Sequence, residues 1–204
     1  MHKYFLTKAA ELMQIQIMML DNFLSVIKLE KDKNAMKLLE DAIFGDMHDL
    51  KKQIQVACDH VIYGVSRVQG LQVNTKLDLS RGIILGLEGK VEEAKKMLSN
   101  FIQNGNYAEL DSEIHFRKES REYRFKNAVT YFEDWVIPNT YFHATIAYAI
   151  LRKNGINIGK ANFLSAKITK NSKYGNLEEL PFGGKIYNVI EGTSCQNSKS
   201  ILMD

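Results

Sequence analysis

The stretch that decides the fold reads Asp134-Trp-Val-Ile-Pro-Asn-Thr-Tyr-Phe-His-Ala-Thr-Ile-Ala-Tyr-Ala-Ile-Leu-Arg-Lys-Asn-Gly155. A helix turns about 100° per residue, so six of these side chains fall within a sector of roughly 80°. They are Val136, Asn139, His143, Ala147, Ile150 and Asn154. Asn139 and His143 therefore point toward the expected core, four residues apart on one face. Because buried polar groups need partners, we expect a neighbouring helix or a bound ligand to satisfy them.

The same stretch predicts how this helix is interrupted and where it ends. We expect the helix to cover residues 127–153, with a kink or a break near Pro138, because proline removes a backbone hydrogen bond and clashes with the preceding turn. Gly155 is expected to close it, since glycine readily adopts the left-handed conformation that ends many helices.

The opposite side of this helix carries two aromatic side chains. Tyr141, Thr145 and Tyr148 face away from the apolar stripe. An aromatic outer face on an amphipathic helix is typical of a partner surface. We therefore expect a homodimer, or a contact between this face and the C-terminal tail.

Three further amphipathic segments precede this helix. Apolar residues at three- and four-residue steps predict helix one over residues 4–27, helix two over 46–68 and helix three over 77–102. Between helices three and four, apolar residues alternate with charged ones, which predicts a short hairpin. The alternating residues are Ile114, Phe116, Tyr123 and Phe125.

Helix two carries several polar residues whose placement the periodicity predicts. Asp46 is expected to cap its N-terminus, followed by Asp49 in an acidic first turn. His48, Asp59 and His60 fall away from the apolar stripe, so we expect them at the surface.

Composition bounds the class of protein. The chain has 204 residues with 45% hydrophobic content, which is enough for one domain with a proper core. The net charge of +3 is spread along the chain without a basic block, so nucleic-acid binding is not favoured. Neither a signal peptide nor a stretch of about 20 apolar residues is present, so we expect a cytoplasmic protein with no membrane contact.

The two cysteines are far apart and form no disulfide framework. Cys58 falls on the inward side of helix two, where we expect a small buried hydrophobe that lines a ligand pocket with Asn139 and His143. Cys195 lies in a polar tail. The change to Lys, Asn, Ser and Gly after Leu164 predicts a domain over residues 1–164. We expect 165–204 to be a partly ordered appendage with a small strand or turn near Leu180.

Two segments carry a resemblance to a known family. The first is Pro-Asn-Thr-Tyr-Phe-His over 138–143, continued by Ala-Tyr-Ala-Ile-Leu-Arg over 147–152 and Asn-Gly over 154–155. The second is Asp46-Met47, Leu50 and Gln-Ile-Gln-Val-Ala-Cys-Asp over 53–59. Together they resemble an uncharacterised domain family of the DinB/YfiT-like superfamily. We therefore expect an all-α, up-and-down four-helix bundle with an irregular C-terminal tail and a crossover either between helices two and three or between helices three and four.

The resemblance also implies a metal site. In that superfamily a divalent metal, typically zinc or nickel, is held by one histidine of helix two and a His-x-x-x-His pair of helix four. By position, Asn139 and His143 occupy the pair, and Asp46 or His48 stands nearest the first ligand. Asn139 departs from the pattern, because an amide oxygen is a poor ligand for zinc.

These residues favour one function and leave two others open. We expect a DinB-like protein of unassigned activity that binds a small molecule in an altered or vestigial metal pocket. The first alternative, implied by the resemblance alone, is a metal-dependent transferase that uses a low-molecular-weight thiol. The second is a purely structural or interaction module. No nucleophilic triad is predicted, because no Gly-x-Ser-x-Gly or comparable elbow presents a serine.

Overall fold

A computed structural model describes residues 1–30, 32–73, 76–105 and 110–164 of the chain. Within them the fold is mostly helical, with one two-stranded sheet. The expected appendage, including the element near Leu180 and Cys195, lies outside the described residues. The long helices are α1 (His2–Ile27), α3 (Leu50–Gln69), α4 (Ile83–Asn104) and α6 (Ile137–Lys153). The shorter elements are α2 (Asp32–Leu39), β1 (Ile114–Lys118), β2 (Arg121–Phe125), α5 (Ala128–Tyr131), a π-helical turn (Phe132–Val136) and α7 (Lys160–Phe163).

The start of α3 differs from the prediction. The side chain of Asp49 accepts a hydrogen bond from the Lys52 backbone N–H at 2.9 Å, which makes Asp49 the N-terminal cap. Asp46 is exposed in the turn before it. The prediction that Asp46 caps this helix was therefore wrong, because the acidic residue three positions later occupies the capping conformation.

Helix α4 is shorter at its start than the predicted span of 77–102. Gly82 has a φ of +98°, which most residues do not adopt, and the helix begins at the next residue. The preceding chain then crosses α4 closely, since a Cβ atom on Gly86 would collide with the Asp78 carbonyl oxygen. This close approach requires the glycine.

The long helices are arranged so that α1 packs on α4 and α6, and α3 packs on the same two helices. Gln14 of α1 contacts Ser99 near the end of α4, whereas Lys28, just after α1, contacts Glu88 near the start of α4. These two helices therefore run in opposite directions. Against α6, Met13 contacts Thr140 and Phe23 contacts Tyr148, so α1 and α6 run in the same direction.

This arrangement corrects the expected topology. Gln53 of α3 contacts His143 and Gly64 contacts Val136, so α3 runs opposite to α6. Helices α3 and α4 thus both run opposite to α1 and α6. The first and last helices of an up-and-down four-helix bundle are antiparallel, so the expected up-and-down order was wrong. The shared direction of α3 (Leu50–Gln69) and α4 (Ile83–Asn104) agrees with a crossover between the second and third long helices, which was one of the two expected positions.

The predicted hairpin is confirmed. Strands β1 and β2 pair antiparallel, with Phe116 opposite Tyr123 and Lys118 opposite Arg121. One face of the hairpin is apolar and packs on the helical core through Ile114, Phe116 and Phe125. The expectation of an all-α fold was too narrow, because the charged and apolar residues alternate with the period of a strand.

The last helical stretch is irregular where a kink was predicted. Asn127 caps α5, with its side chain accepting from the Thr130 backbone N–H at 3.0 Å. A π-helical turn then separates α5 from α6, and Pro138 is the second residue of α6. Since Pro138 has no N–H, it cannot donate the usual bond to the preceding turn. Gly155, with a φ of +80°, follows the end of α6 as predicted.

The two tyrosines opposite the predicted stripe do not form an outer face. The Tyr148 ring lies 6.2 Å from the Phe23 ring of α1 and 5.5 Å from the Phe163 ring of α7, between ring centroids. Tyr141 is partly buried, and Thr145 alone of the three is exposed. Helices α1 and α7 therefore cover the part of this face that carries Tyr148. The homodimer and the contact with the C-terminal tail both stay predictions.

Candidate functional site

His143 is held on α6 by a side chain of α3. Its Nδ1 atom lies 2.7 Å from Oε1 of Gln53, and the Gln53 Nε2 group donates to the His48 backbone carbonyl at 3.0 Å. Gln53 is 1% exposed, so both ends of its amide need these partners. Because Oε1 can only accept, the His143 ring carries its proton on Nδ1. Its Nε2 atom is then left with a lone pair that can accept a hydrogen bond or bind a metal.

Two further histidine rings flank His143. The centroid of the His60 ring lies 5.7 Å from that of His143, and the His48 centroid lies 6.3 Å away. The ring planes are nearly parallel, at 13° and 28° to His143. We call His48, His143 and His60 the histidine row. Trp135 continues it, with its ring edge-on to His60 at 5.9 Å.

The two inner rings of the row are neutral at physiological pH. Burial, and to a smaller extent the neighbouring His48 and Lys118, lower the pKa of His143 to about 4. Burial also lowers the pKa of His60 to about 3, with His143, Lys118 and Arg67 acting in the same sense. A second positive charge beside these groups is unfavourable, so the rings remain acceptors and not cations.

Asn139 lies one turn before His143 on the same helix. It is partly buried, and its Nδ2 group donates to the Trp135 carbonyl at 2.7 Å. This bond fixes the amide, so the Oδ1 atom is the acceptor that remains. The stripe predicted that both side chains are mostly buried and within reach of α3. Both are partly buried, and His143 reaches α3 through Gln53.

The hairpin forms a wall beside the row. The Tyr123 ring lies 4.5 Å from the Trp135 ring and the Phe116 ring 5.8 Å from it, between centroids. Arg67 of α3 fastens this wall, because its guanidinium lies 3.9 Å from the centre of the Phe116 ring. It also donates to the Tyr131 hydroxyl at 2.8 Å.

The predicted metal ligands are only partly brought together. His48 is exposed with its ring next to His143, whereas Asp46 is exposed in the turn before α3. In the part of the chain that the structure describes, no three His, Cys, Asp or Glu residues are placed to hold a metal ion. The full set of ligands that the resemblance implies is therefore not assembled among these residues.

Cys58 does not belong to this site. It is fully buried, and burial raises the pKa of its thiol. The charged side chains that affect this pKa include Asp59 on α3 itself, Lys90 on α4 and Asp21 on α1. Five residues separate Cys58 from Gln53, which places it about 140° around α3. The grouping of Cys58 with His143 was therefore wrong.

Sequence reasoning missed Gln53, His60 and Trp135 as members of the site. His60 and Asp59 were expected at the surface, but both are partly buried. Gln53 and His60 are seven residues apart, so they share a face of α3, and this spacing was a usable signal. It was overlooked because α3 is buried on two sides, against α4 and α6, and not along one stripe.

The fold places the protein in a known class. It is similar to the crystal structure of a DinB family member protein from Shewanella denitrificans, with a TM-score of 0.54 and 25% sequence identity over 83% of this chain and 99% of that chain. The chain belongs to the family described as a domain of unknown function (DUF1993), whose model matches residues 6–164. It is thus an uncharacterised domain of the DinB-like superfamily, and the expected resemblance is confirmed. No curated protein matches the chain.

Among the described residues, no helix combines the length and the apolar character needed to cross a lipid bilayer.

Proposed function

We propose that this chain is a DinB-like four-helix bundle protein that binds a small molecule at the histidine row. The bond from His143 Nδ1 to Gln53 Oε1 carries this proposal. A buried glutamine that fixes one nitrogen of a partly buried imidazole leaves the other nitrogen as a positioned acceptor. Such an arrangement suits a ligand that presents a hydrogen-bond donor to Nε2.

The surroundings of His143 support a flat ligand. Two imidazole rings and the Trp135 indole follow one another along the row at centroid spacings of 5.7 and 5.9 Å. Neutral aromatic rings offer apolar faces and edges to a planar group, and such contacts add to burial. The Asn139 Oδ1 atom supplies a second acceptor one turn away.

The metal pocket of the superfamily is altered in this proposal. Asn139 stands where the resemblance implies an imidazole ligand, and an amide oxygen is a poor ligand for zinc. The pocket would then keep the histidine for hydrogen bonding after the metal role has been lost. This distinguishes a ligand-binding domain from a metal enzyme.

A nuclear magnetic resonance titration with a library of small planar fragments tests the binding proposal. We expect fragments to shift the ring signals of His143 and His60, and His143→Phe to weaken their binding at least tenfold. Thr145→Ala is the matched control, because Thr145 lies on the same helix but is exposed. If no fragment perturbs the row, the structural or interaction module takes the place of this proposal.

The adjacency of three imidazole rings keeps the metal-dependent transferase as a second candidate. Elemental analysis of untagged protein decides between the two. We expect much less than one zinc or nickel per chain, since a neutral amide stands in place of one imidazole ligand and, among the described residues, no three candidate ligands are placed to hold a metal ion. One metal per chain, lost together with a thiol-transfer activity in His143→Ala, would establish the transferase instead.

A further inference from the structure

The two faces of the hairpin differ in how their charges are paired. Side chains alternate along each strand, so Phe116 and Lys118 share one face, and their cross-strand partners Tyr123 and Arg121 share it with them. Phe116 and Tyr123 contact Trp135, so this face is the one that lies toward the histidine row. Lys118 and Arg121 are the last pair on that face, beside the turn.

Charges on the opposite face satisfy one another. Arg117 pairs with Glu122 at 2.8 Å, and Arg124 pairs with Glu113 at 3.4 Å. His115 also lies 3.9 Å from Glu122. Glu122 of β2 and Glu113, the residue before β1, therefore both form ion pairs on the outer face.

The two inward cations at the tip have no such partner. Among the residues that the structure describes, no carboxylate forms an ion pair with Lys118 or Arg121. Lys118 is nonetheless close enough to the row to lower the pKa of both His60 and His143. The other groups that lower these two pKa values are Arg67 and neighbouring histidines.

Arg67 cannot supply the charge that a ligand would meet. Its guanidinium lies over the rings of Phe116 and Tyr63 and donates to Tyr131. Lys118 and Arg121, in contrast, are exposed and form the last cross-strand pair at the end of the hairpin. An arginine fork can bind two oxygens of a carboxylate or phosphate at once.

We propose that the ligand of the histidine row carries an anionic group, a carboxylate or a phosphate, which Lys118 and Arg121 of the hairpin tip bind while its planar part lies against His143 and His60. This inference rests on the proposed function and names the class of its ligand as a small organic anion. The two inward cations of the hairpin tip, for which the described residues supply no ion-pair partner, are what favours an anion over a cation.

Binding of four simple probes tests the inference. Benzoate and phenyl phosphate carry the charge, and benzamide and benzyl alcohol are their neutral counterparts. Dissociation constants come from shifts of the His143 and His60 ring signals at fixed ionic strength. We expect the anionic probes to bind about tenfold more tightly than the neutral ones, and added salt to reduce this preference.

Two double variants separate a local subsite from general charge. Lys118→Gln with Arg121→Gln removes the inward cations, and Arg117→Gln with Arg124→Gln removes two outer ones, so the change in net charge is the same. We expect only the inward variant to lose the preference for anions. Equal binding of charged and neutral probes, or an equal loss in both variants, would overturn the inference.

The same titration keeps the two proposals distinguishable. Neutral probes that bind in a His143-dependent way, without any gain from the charge, leave the proposed function intact and refute the anion subsite. If neither kind of probe perturbs the row, both proposals fail. Inorganic phosphate alone could also shift signals only at the hairpin tip, without any dependence on His143. That result contradicts a ligand that spans the hairpin tip and the histidine row.

Discussion

The Nδ1 atom of His143 and the Oε1 atom of Gln53 lie 2.7 Å apart, and this bond joins α6 to α3 across the interior of the protein. It sets the orientation of the imidazole. The Nε2 group of the same Gln53 amide donates a second hydrogen bond to the His48 carbonyl. The position of the His48 loop and the chemistry of His143 therefore depend on one buried side chain.

Replacing Gln53 with leucine should destabilise the protein by about 1–3 kcal/mol, since it leaves the His143 Nδ1–H and the His48 carbonyl without their partner. Chemical denaturation measures the free energy of unfolding. Gln55→Leu is the control, because Gln55 lies on the same helix but is partly exposed. Equal effects of the two substitutions would show that the buried bond has no special role.

Stability should fall as the pH decreases from about 6.5 to about 4. Histidine in the unfolded chain takes up a proton near its ordinary pKa of about 6.5. Folded His143 and His60 have pKa values of about 4 and about 3, so in this range the unfolded state binds more protons. The free energy of unfolding then rises with pH, by about 1.4 kcal/mol for each unit of pKa difference at most.

Urea denaturation at a series of pH values measures this slope in the wild type and in a variant with His143→Asn and His60→Asn. We expect the variant to have the smaller slope between pH 4 and 6.5. The difference between the two proteins isolates the histidines from carboxylates that titrate nearby. Identical slopes would mean that both rings keep their ordinary pKa values in the folded state.

Replacing Arg67 with lysine should loosen the hairpin. A lysine keeps the charge but loses the planar group that lies 3.9 Å from the Phe116 ring centre and bonds Tyr131. We expect a destabilisation of about 1 kcal/mol and faster hydrogen exchange of the amides in β1 and β2. Arg124→Lys, on the outer face, should leave the exchange unchanged. Unaltered protection in the Arg67 variant would contradict its anchoring role.

Replacing Gly64 with alanine should force α3 and α6 apart. The added Cβ atom would lie 2.7 Å from a Val136 methyl group at the π-helical turn. Overpacking of this kind costs about 1–3 kcal/mol, and thermal unfolding measures it. Val136→Ala in the same protein should restore part of the loss, because it removes the colliding methyl groups.

Gly89→Ala provides the opposite test on α4. A Cβ at Gly89 would have no atom within 4 Å, and alanine is the better helix former. We expect this substitution to stabilise the protein by up to about 1 kcal/mol. If Gly89→Ala destabilised the protein instead, the added methyl group would have to meet another atom, which contradicts the open space around Gly89.

Much of the local structure was predictable from the sequence. Apolar spacing predicted the long helices within a few residues, except at the start of α4, and strict alternation predicted the hairpin. The stripe through Val136 and Ala147 correctly turned His143 toward α3. The exact ends were less predictable, because Asp46 and Asp49 are both suitable caps and only the position of the preceding loop selects between them.

The sequence by itself determined which segments are helical, which faces are apolar and that His143 faces the interior. These properties follow from local periodicity, which every residue carries with it. Only the tertiary structure decided that α1 and α6 are parallel neighbours, that α7 covers Tyr148, and that His60 and Gln53 meet His143. The reason is that a periodic face specifies burial but not the partner that buries it, and α3 is buried by two helices on different sides.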